Sequence, residues 1–450
     1  MRRALLTAAL LLASCAPVET PTRAPGTDAA LPPMQGFAGA PARAPLRSNA
    51  EISRDFLDLA FRMESGRSVP TLTRFEEPIT VRVTGRAPAS LSTDLSALLG
   101  RLRREAGIEI GPAPSGGAAS ITVEAVPSAT LRRAVPRAAC FVVPRVSSWA
   151  EFSAARRSPQ VDWTTLTRRD RAAIFVPSDA APQEIRDCLH EELAQALGPL
   201  NDLYRLPDSV FNDDNIHAVL TGFDMLVLRT YYAPELRNGM SRAQVQARLP
   251  AVLARLNPAG EAGGRGAGGG VSQDWVQAMQ TALSSDATPG TRRAAASRAV
   301  DMARAFGWTG AREGFAHYAY GRLMVGHDGN AAHAAFTASA RAYSGSSLTR
   351  IHAAHVAVQL AAFELRGGNG QAVLDLVEPA IPVARAHENA ALLATLMMFR
   401  AEGLELTGQF DAARETRLDS LRWARYGFGS DAEVRARQRE IAALRPASAL

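Results

Sequence analysis

Cys188-Leu-His-Glu-Glu-Leu-Ala-Gln-Ala-Leu-Gly-Pro-Leu-Asn-Asp202 is the stretch on which the fold of this chain turns. Pro182 ahead of it and Gly198 within it mark the start and stop of a helix over 182–197, since proline suits the first helical turn and glycine the exit. Glu191 and Gln195 stand four positions apart and share one helix face, with Glu192 beside them. Past Gly198 the chain turns, which would bring Asn201 and Asp202 back toward that face. Carboxylate and amide oxygens suit calcium or magnesium, whereas zinc prefers imidazole or thiolate. His190 and His217 are the only histidines between residues 51 and 256. Residues 190 and 191 point to different faces, so these histidines read as polar core or surface residues.

Outward from this helix the pattern alternates. Pro78-Ile-Thr-Val-Arg-Val83 has the period of two expected of a half-buried strand. Ile121-Thr-Val-Glu-Ala-Val126, Cys140-Phe-Val-Val143 and Ala172-Ala-Ile-Phe-Val176 also read as strands. Helical spacing runs from Leu91 to Leu102 and again from Leu220 to Tyr232, and a further helix opens near Asn49 with Ile52, Phe56, Leu59 and Phe61. Residues 51–256 are thus expected to form one mixed α/β domain. Asn257 to Gly270 holds Pro258 and seven glycines, a flexible linker by composition, and the linker is placed at 257–271. From 272 to 450 the pattern is helical throughout, rich in alanine, with glycines marking turns.

The amino-terminal end has its own logic. Met1-Arg2-Arg3, an apolar run from Ala4 to Leu12 and the small residues Ala13-Ser14 describe a secretory signal over 1–14. The run falls short of the ~20 residues that span a bilayer. Residues 15–50 are rich in proline, alanine and glycine without hydrophobic period, and an extended tether is expected there. Besides Cys15 the chain has only Cys140 and Cys188, and an exported protein meets an oxidising compartment, so these two are expected to pair. Every basic residue is arginine, and the net charge is +6. No basic cluster with interleaved aromatic residues appears, so no nucleic-acid partner is expected. Neither a nucleophile elbow nor a phosphate-binding loop is present.

Several resemblances sharpen this reading. Leu12-Ala13-Ser14-Cys15 resembles the lipobox of bacterial lipoproteins. The resemblance implies acylation of Cys15, attachment to a membrane through the lipid, and a periplasm-facing place in the bacterial cell envelope. Ala16 after the cysteine is compatible with the outer membrane. The helix around Glu191 resembles the metzincin form of the zinc-peptidase motif, H-E-x-x-H-x-x-G-x-x-H. In the best register Glu191 takes the first ligand position, Glu192 the general base, Gln195 the second ligand, Gly198 the turn and Asn201 the third ligand. Every ligand histidine is absent. Asp208-Ser-Val-Phe-Asn212 resembles the region of the Met-turn, with Phe211 at the methionine position, and Leu220 to Tyr232 resembles the helix that follows it. Over roughly residues 70–245 the pattern is similar to the family called domain of unknown function 2927, several members of which are lipoproteins. Gly408-Gln-Phe-Asp-Ala-Ala413 resembles the turn of a tetratricopeptide repeat, and Gly403 suits close packing in the helix before it. Ala332, Phe336, Gly367, Ala372 and Leu376 mark weaker copies. The spacings of Gly329, Gly370 and Gly408, 41 and 38 residues, exceed the ~34 of that repeat.

The expectation is a zincin-like α+β domain followed by an all-α, tetratricopeptide-like array. Its function is expected to be binding or scaffolding in the envelope, with a protein partner on the helices. The alternative is a metal-dependent peptidase with unusual ligands. Glu192 would be its catalytic base, and Glu191, Gln195, Asn201 and Asp202 its metal or ligand contacts. No cofactor is expected on the first reading; zinc or calcium belongs to the second. The helical contacts are expected at Phe336, Leu376 and Gly408.

Overall fold

The computed structural model describes residues 30–39, 43–136, 138–261 and 272–446. The signal segment, Cys15 and residues 262–271 of the glycine-rich stretch lie outside the described residues.

The N-terminal region is α/β. In chain order it runs α1 (Asn49–Phe61), β1 (Ile79–Gly85), α2 (Ala89–Arg101), β2 (Ile110–Pro112), β3 (Ile121–Val126), α3 (Ser128–Ala134), β4 (Phe141–Pro144), α4 (Trp149–Ala155), β5 (Ala172–Pro177), α5 (Pro182–Leu197), α6 (Gly222–Tyr231) and α7 (Arg242–Leu256). The five strands form one mixed sheet in the order β2-β1-β3-β5-β4, in which only the β4–β5 pairing is antiparallel. β5 is buried along its whole length, as expected of a strand covered on both faces. Ile121, Val123, Ile174 and Val176 join the larger core with α1, α2, α5 and α6. Ala173 and Phe175 face the other way, onto α3 and α4. There Phe141, Trp149, Phe152 and Phe175 form an aromatic cluster with ring centroids 5.2–6.3 Å apart. Two-residue periodicity found β1 and β3, but β2 has only three residues, and α3 and α4 only seven each.

The C-terminal region is helical: α8 (Gln273–Leu283), α9 (Pro289–Ala305), α10 (Ala311–Met324), α11 (Gly329–Ser344), α12 (Arg350–Arg366), α13 (Gly370–Val377), α14 (Ala380–Ala386), α15 (Ala390–Leu406), α16 (Phe410–Phe428) and α17 (Asp431–Ala442). Successive helices pack on one another, and α12 also meets α14 and α15. No helix among the described residues is long and apolar enough to cross a membrane.

The expected contact residues behave differently from one another. Phe336 is fully buried and fills the space left open by Gly321, where a Cβ would lie 2.8 Å from its ring. Leu376 is half-buried against the same core as α12 and α15. Gly408 is not a helix contact. It has a φ of +78° and open space around it, so its role is the left-handed turn between α15 and α16. The close approach is made by Gly403 instead, whose carbonyl would lie 2.9 Å from a Cβ on Gly370.

The stretch expected to be a free tether is partly built into the fold. Phe37 stacks on Trp423, with centroids 4.7 Å apart. Gln35 donates its backbone N–H to the Arg422 carbonyl at 3.1 Å, and Arg425 donates to the Pro32 carbonyl at 3.0 Å. Arg47 then pairs with Asp55 and Asp208 in the α/β region. The start of the glycine-rich stretch is likewise ordered: Gly260 lies against Asn49 and Asn257, and Asn49 donates to Glu261 at 2.6 Å.

Residues 199–221, between α5 and α6, touch all of the larger cores. Leu200 and Leu206 enter the α/β core, Tyr204 the core of α8 to α11, and Ile216 the core of α12 to α16.

Candidate functional site

The candidate residues sit on α5 and the loop that leaves it, and three features hold that unit in place. Cys140 and Cys188 form a disulfide, with Cα atoms 5.9 Å apart, which fixes the middle of α5 to β4. At the far end the last carbonyls of the helix need donors. The buried guanidinium of Arg169 donates to the carbonyls of Gln195, Ala196 and Gly198, while stacking 4.8 Å above the Trp163 ring. Burial pushes the Arg169 pKa down, yet three carbonyl partners replace its water. At the helix exit Gly198 is required by space rather than by backbone sign. Its φ is −169°, but a Cβ there would lie 2.9 Å from the Tyr231 ring.

On this scaffold the structure gathers carboxylates. Glu191 is held up to about 7 by burial, then by the charges of Glu64 and Asp213. Asp202 is pushed well above the usual carboxylate range by burial, then by Glu191, Glu64 and Asp213, and it hydrogen-bonds Glu64. Asp213 is raised to about 6 by burial, Glu64 and Asp214. Glu192 is buried and raised well above its ordinary value by desolvation, Glu191 and Glu64, and the Val142 N–H is directed at its carboxylate. Its Oε2 and the Oδ1 of Asp202 have no hydrogen-bond partner among the described residues. Burial and mutual repulsion of this kind favour the protonated forms of Glu191, Glu192, Asp202 and Asp213.

The expected residues do not all converge. Glu191, Glu192 and Asp202 come together. Asn201 turns its amide to the Asp58 carbonyl at 3.0 Å, and Gln195 is buried, its backbone carbonyl taken by Arg169. His190 is buried on another face, where its Nδ1 accepts the Leu220 N–H at 3.1 Å; burial, then Arg186 and Arg101, hold its pKa well below the usual value. In the Asp208–Asn212 segment Phe211 is fully buried, and Asp224 accepts from the Ser209 hydroxyl and the Val210 N–H. Glu64 and Asp213 were missing from the sequence reading. Glu64 lies in the turn after α1, far from α5 in sequence, and Asp213 in the loop that leaves α5, and no local motif marks either.

The donor set does not fit zinc. It offers carboxylate oxygens and no imidazole or thiolate, and among the described residues no group of three or more His, Cys, Asp or Glu side chains is arranged to hold a metal ion. What this arrangement can do chemically is exchange protons among neighbouring carboxyls, from exposed Glu64 through half-buried Glu191, Asp202 and Asp213 to buried Glu192, which lies against β4, the antiparallel edge strand.

Residues 49–251 match the model of the family described as Protein of unknown function (DUF2927). The DUF2927 match begins at the first residue of α1 and ends within α7. It therefore takes in the whole sheet, the disulfide and every carboxylate of the cluster, and leaves out α8 to α17. No curated protein and no solved structure matches the chain.

Proposed function

We propose that this chain is a non-catalytic binding or scaffolding protein of the bacterial cell envelope, anchored through a lipid on Cys15. On this reading an inactive zincin-like domain, residues 51–256, is joined to a tetratricopeptide-like array, residues 272–450, that receives a protein partner. The observation that carries it is the occupancy of the ligand positions. Glu191 and Gln195 stand where zinc peptidases place imidazoles, Asn201 turns its amide to Asp58, and the one imidazole on α5, that of His190, is engaged by Leu220. A motif helix beside an antiparallel edge strand supports the zincin-like comparison, and the glycine approach of α13 and α15 supports the repeat comparison.

A second reading, a metal-dependent peptidase, draws on one observation. Glu192 keeps the general-base position, is buried, and has an Oε2 without a hydrogen-bond partner among the described residues. One experiment separates the two. The exported protein, purified without added metal, is assayed for bound metal and for peptide hydrolysis beside Glu192→Gln. The binding role predicts no stoichiometric zinc and no hydrolysis that depends on Glu192. Stoichiometric zinc together with hydrolysis abolished in Glu192→Gln establishes the peptidase instead. For the anchor, Cys15→Ser is expected to leave an uncleaved precursor or to release the protein from the membrane fraction. Unchanged attachment, with no acyl label on the wild type, rules it out.

A further inference from the structure

Four histidines from three separate stretches of the chain meet where the α/β region touches the helices. His217 belongs to the loop between α5 and α6, His352 and His355 stand one turn apart on α12, and His387 follows α14. The His217 ring lies 5.9 Å from His352 and 5.4 Å from His387, centroid to centroid. His352 Nε2 is 2.8 Å from Asp214 Oδ2, with both side chains almost fully buried. His217 Nε2 donates to the Pro207 carbonyl at 2.8 Å. His352 Nδ1 and His355 Nε2 are buried without a hydrogen-bond partner among the described residues. No set of these groups is arranged to hold a metal ion.

The charges around the cluster are unbalanced. Asp214 is the carboxylate at its centre, and it also accepts from Asn212 and from the Ile216 N–H. Asp208, the other acid facing His217, is paired with Arg47. His355 faces His352, His217, Asp214 and Arg322. His387 faces His217, His352, Arg43 and Arg350. Tyr343 lies against His352, 5.1 Å between centroids. Asp214 thus faces His217, His352 and His355, while His387 lies against imidazoles and arginines. Added protons repel one another across the contact between loop and helices, and the adjoining Ile216, seated with Ile351 in the helical core, is what they would dislodge.

We propose that this cluster is an acid-operated latch: with His217, His355 and His387 neutral, the loop bearing Asp214, Ile216 and His217 seats on α12 and α14; protonation of these three drives that loop away. Burial, then neighbouring histidines, hold His355 near 4 and His387 near 3, and burial lowers His217 as well. These values lie below the ordinary 6.5, so the closed state is fully favoured above about 6.5 and loses ground as pH falls through the interval below it. A histidine held near 4 when closed shifts the open-to-closed ratio about tenfold at pH 5.5. The carboxylate cluster changes in the opposite sense, because its raised groups are more comfortable at low pH. A global melting curve would therefore mix the two, and a local readout is needed.

The test is hydrogen–deuterium exchange on the full exported protein between pH 7.5 and 4.5, corrected for the intrinsic rate. Residues 212–221 and the first turns of α12 are expected to lose protection at least tenfold by pH 5, while β3 and β5 keep theirs. In His355→Leu/His387→Leu the loss should move at least half a pH unit lower. His327→Gln, at an exposed position, should behave as wild type. Loss spread evenly over the sheet, or an unchanged profile in the double variant, overturns the latch. If the double variant fails to fold at pH 7.5, ring-proton NMR titration of the wild-type histidines decides. Values below 5.5 for His355 and His387 support the proposal, and ordinary values refute it.

Discussion

Arg186 on α5 and Glu388, just after α14, form an ion pair across the junction of the two regions, and both side chains are more than nine-tenths buried. Gln183 donates to Asn389 at 3.0 Å one turn away, and Tyr426 donates to Asp94 at 2.7 Å beside it. Removing one member of such a pair strands the other charge. Glu388→Ala is expected to lower stability by about 3–5 kcal/mol in chemical denaturation. Arg186→Met/Glu388→Leu, which removes both charges, should recover most of the loss. A double variant as unstable as the single one would show that packing, not charge, holds the junction.

Glu191 supplies the second prediction. Its folded value of about 7 lies above the ordinary 4.5. The group therefore favours folding fully below pH 4.5, and that contribution is lost as pH rises through 7. Glu191→Gln should raise stability by about 1–3 kcal/mol at pH 8 and leave it nearly unchanged at pH 4. Denaturation midpoints at the two pH values test this, and a variant less stable than wild type at pH 8 would contradict it.

The disulfide closes a separation of 48 residues. In the chain-entropy account that constraint contributes about 4 kcal/mol. Cys140→Ser/Cys188→Ser should lose a comparable amount, and wild type treated with reductant should match the variant. Equal stability of oxidised and reduced wild type is the contrary result.

Gly198 leaves no room for a side chain against Tyr231. Gly198→Ala should cost about 1–3 kcal/mol, the usual range for overpacking. Pairing it with Tyr231→Leu should relieve part of that cost, as read from thermal midpoints. Strict additivity of the two changes would locate the strain elsewhere.

How far the sequence could be read depended on how local each signal was. α5 is bounded by Pro182 and Gly198 on its own chain, and its ends fell where expected. β1, β3 and β5 carry alternation or an unbroken apolar run, whereas β2 is too short for any period to show. The segment holding Phe37 looked featureless, because one aromatic ring among prolines has no pattern until Trp423 is brought to it. Glu191 and Glu192 were found from their helix, but their partners Glu64 and Asp213 reach them only through the fold. His352, His355 and His387 lack ligand spacing in the chain, and only the packing of α12 and α14 against the loop gives them His217 as a neighbour.

The chain from Ala30 to Ser48 also decides how force would enter the molecule. A pull on the residues ahead of Ala30 meets the Pro32 carbonyl and the Phe37 ring on α16 first, and the Arg47 pairs with Asp55 and Asp208 only afterwards. The load thus falls first on the packing of Leu31 and Phe37 against the helical core and on the hydrogen bonds that Pro32 and Gln35 make with α16, before any strand of the sheet is stretched. A segment tied down in this way is expected to act as a mechanical fuse, yielding first and sparing the domain behind it.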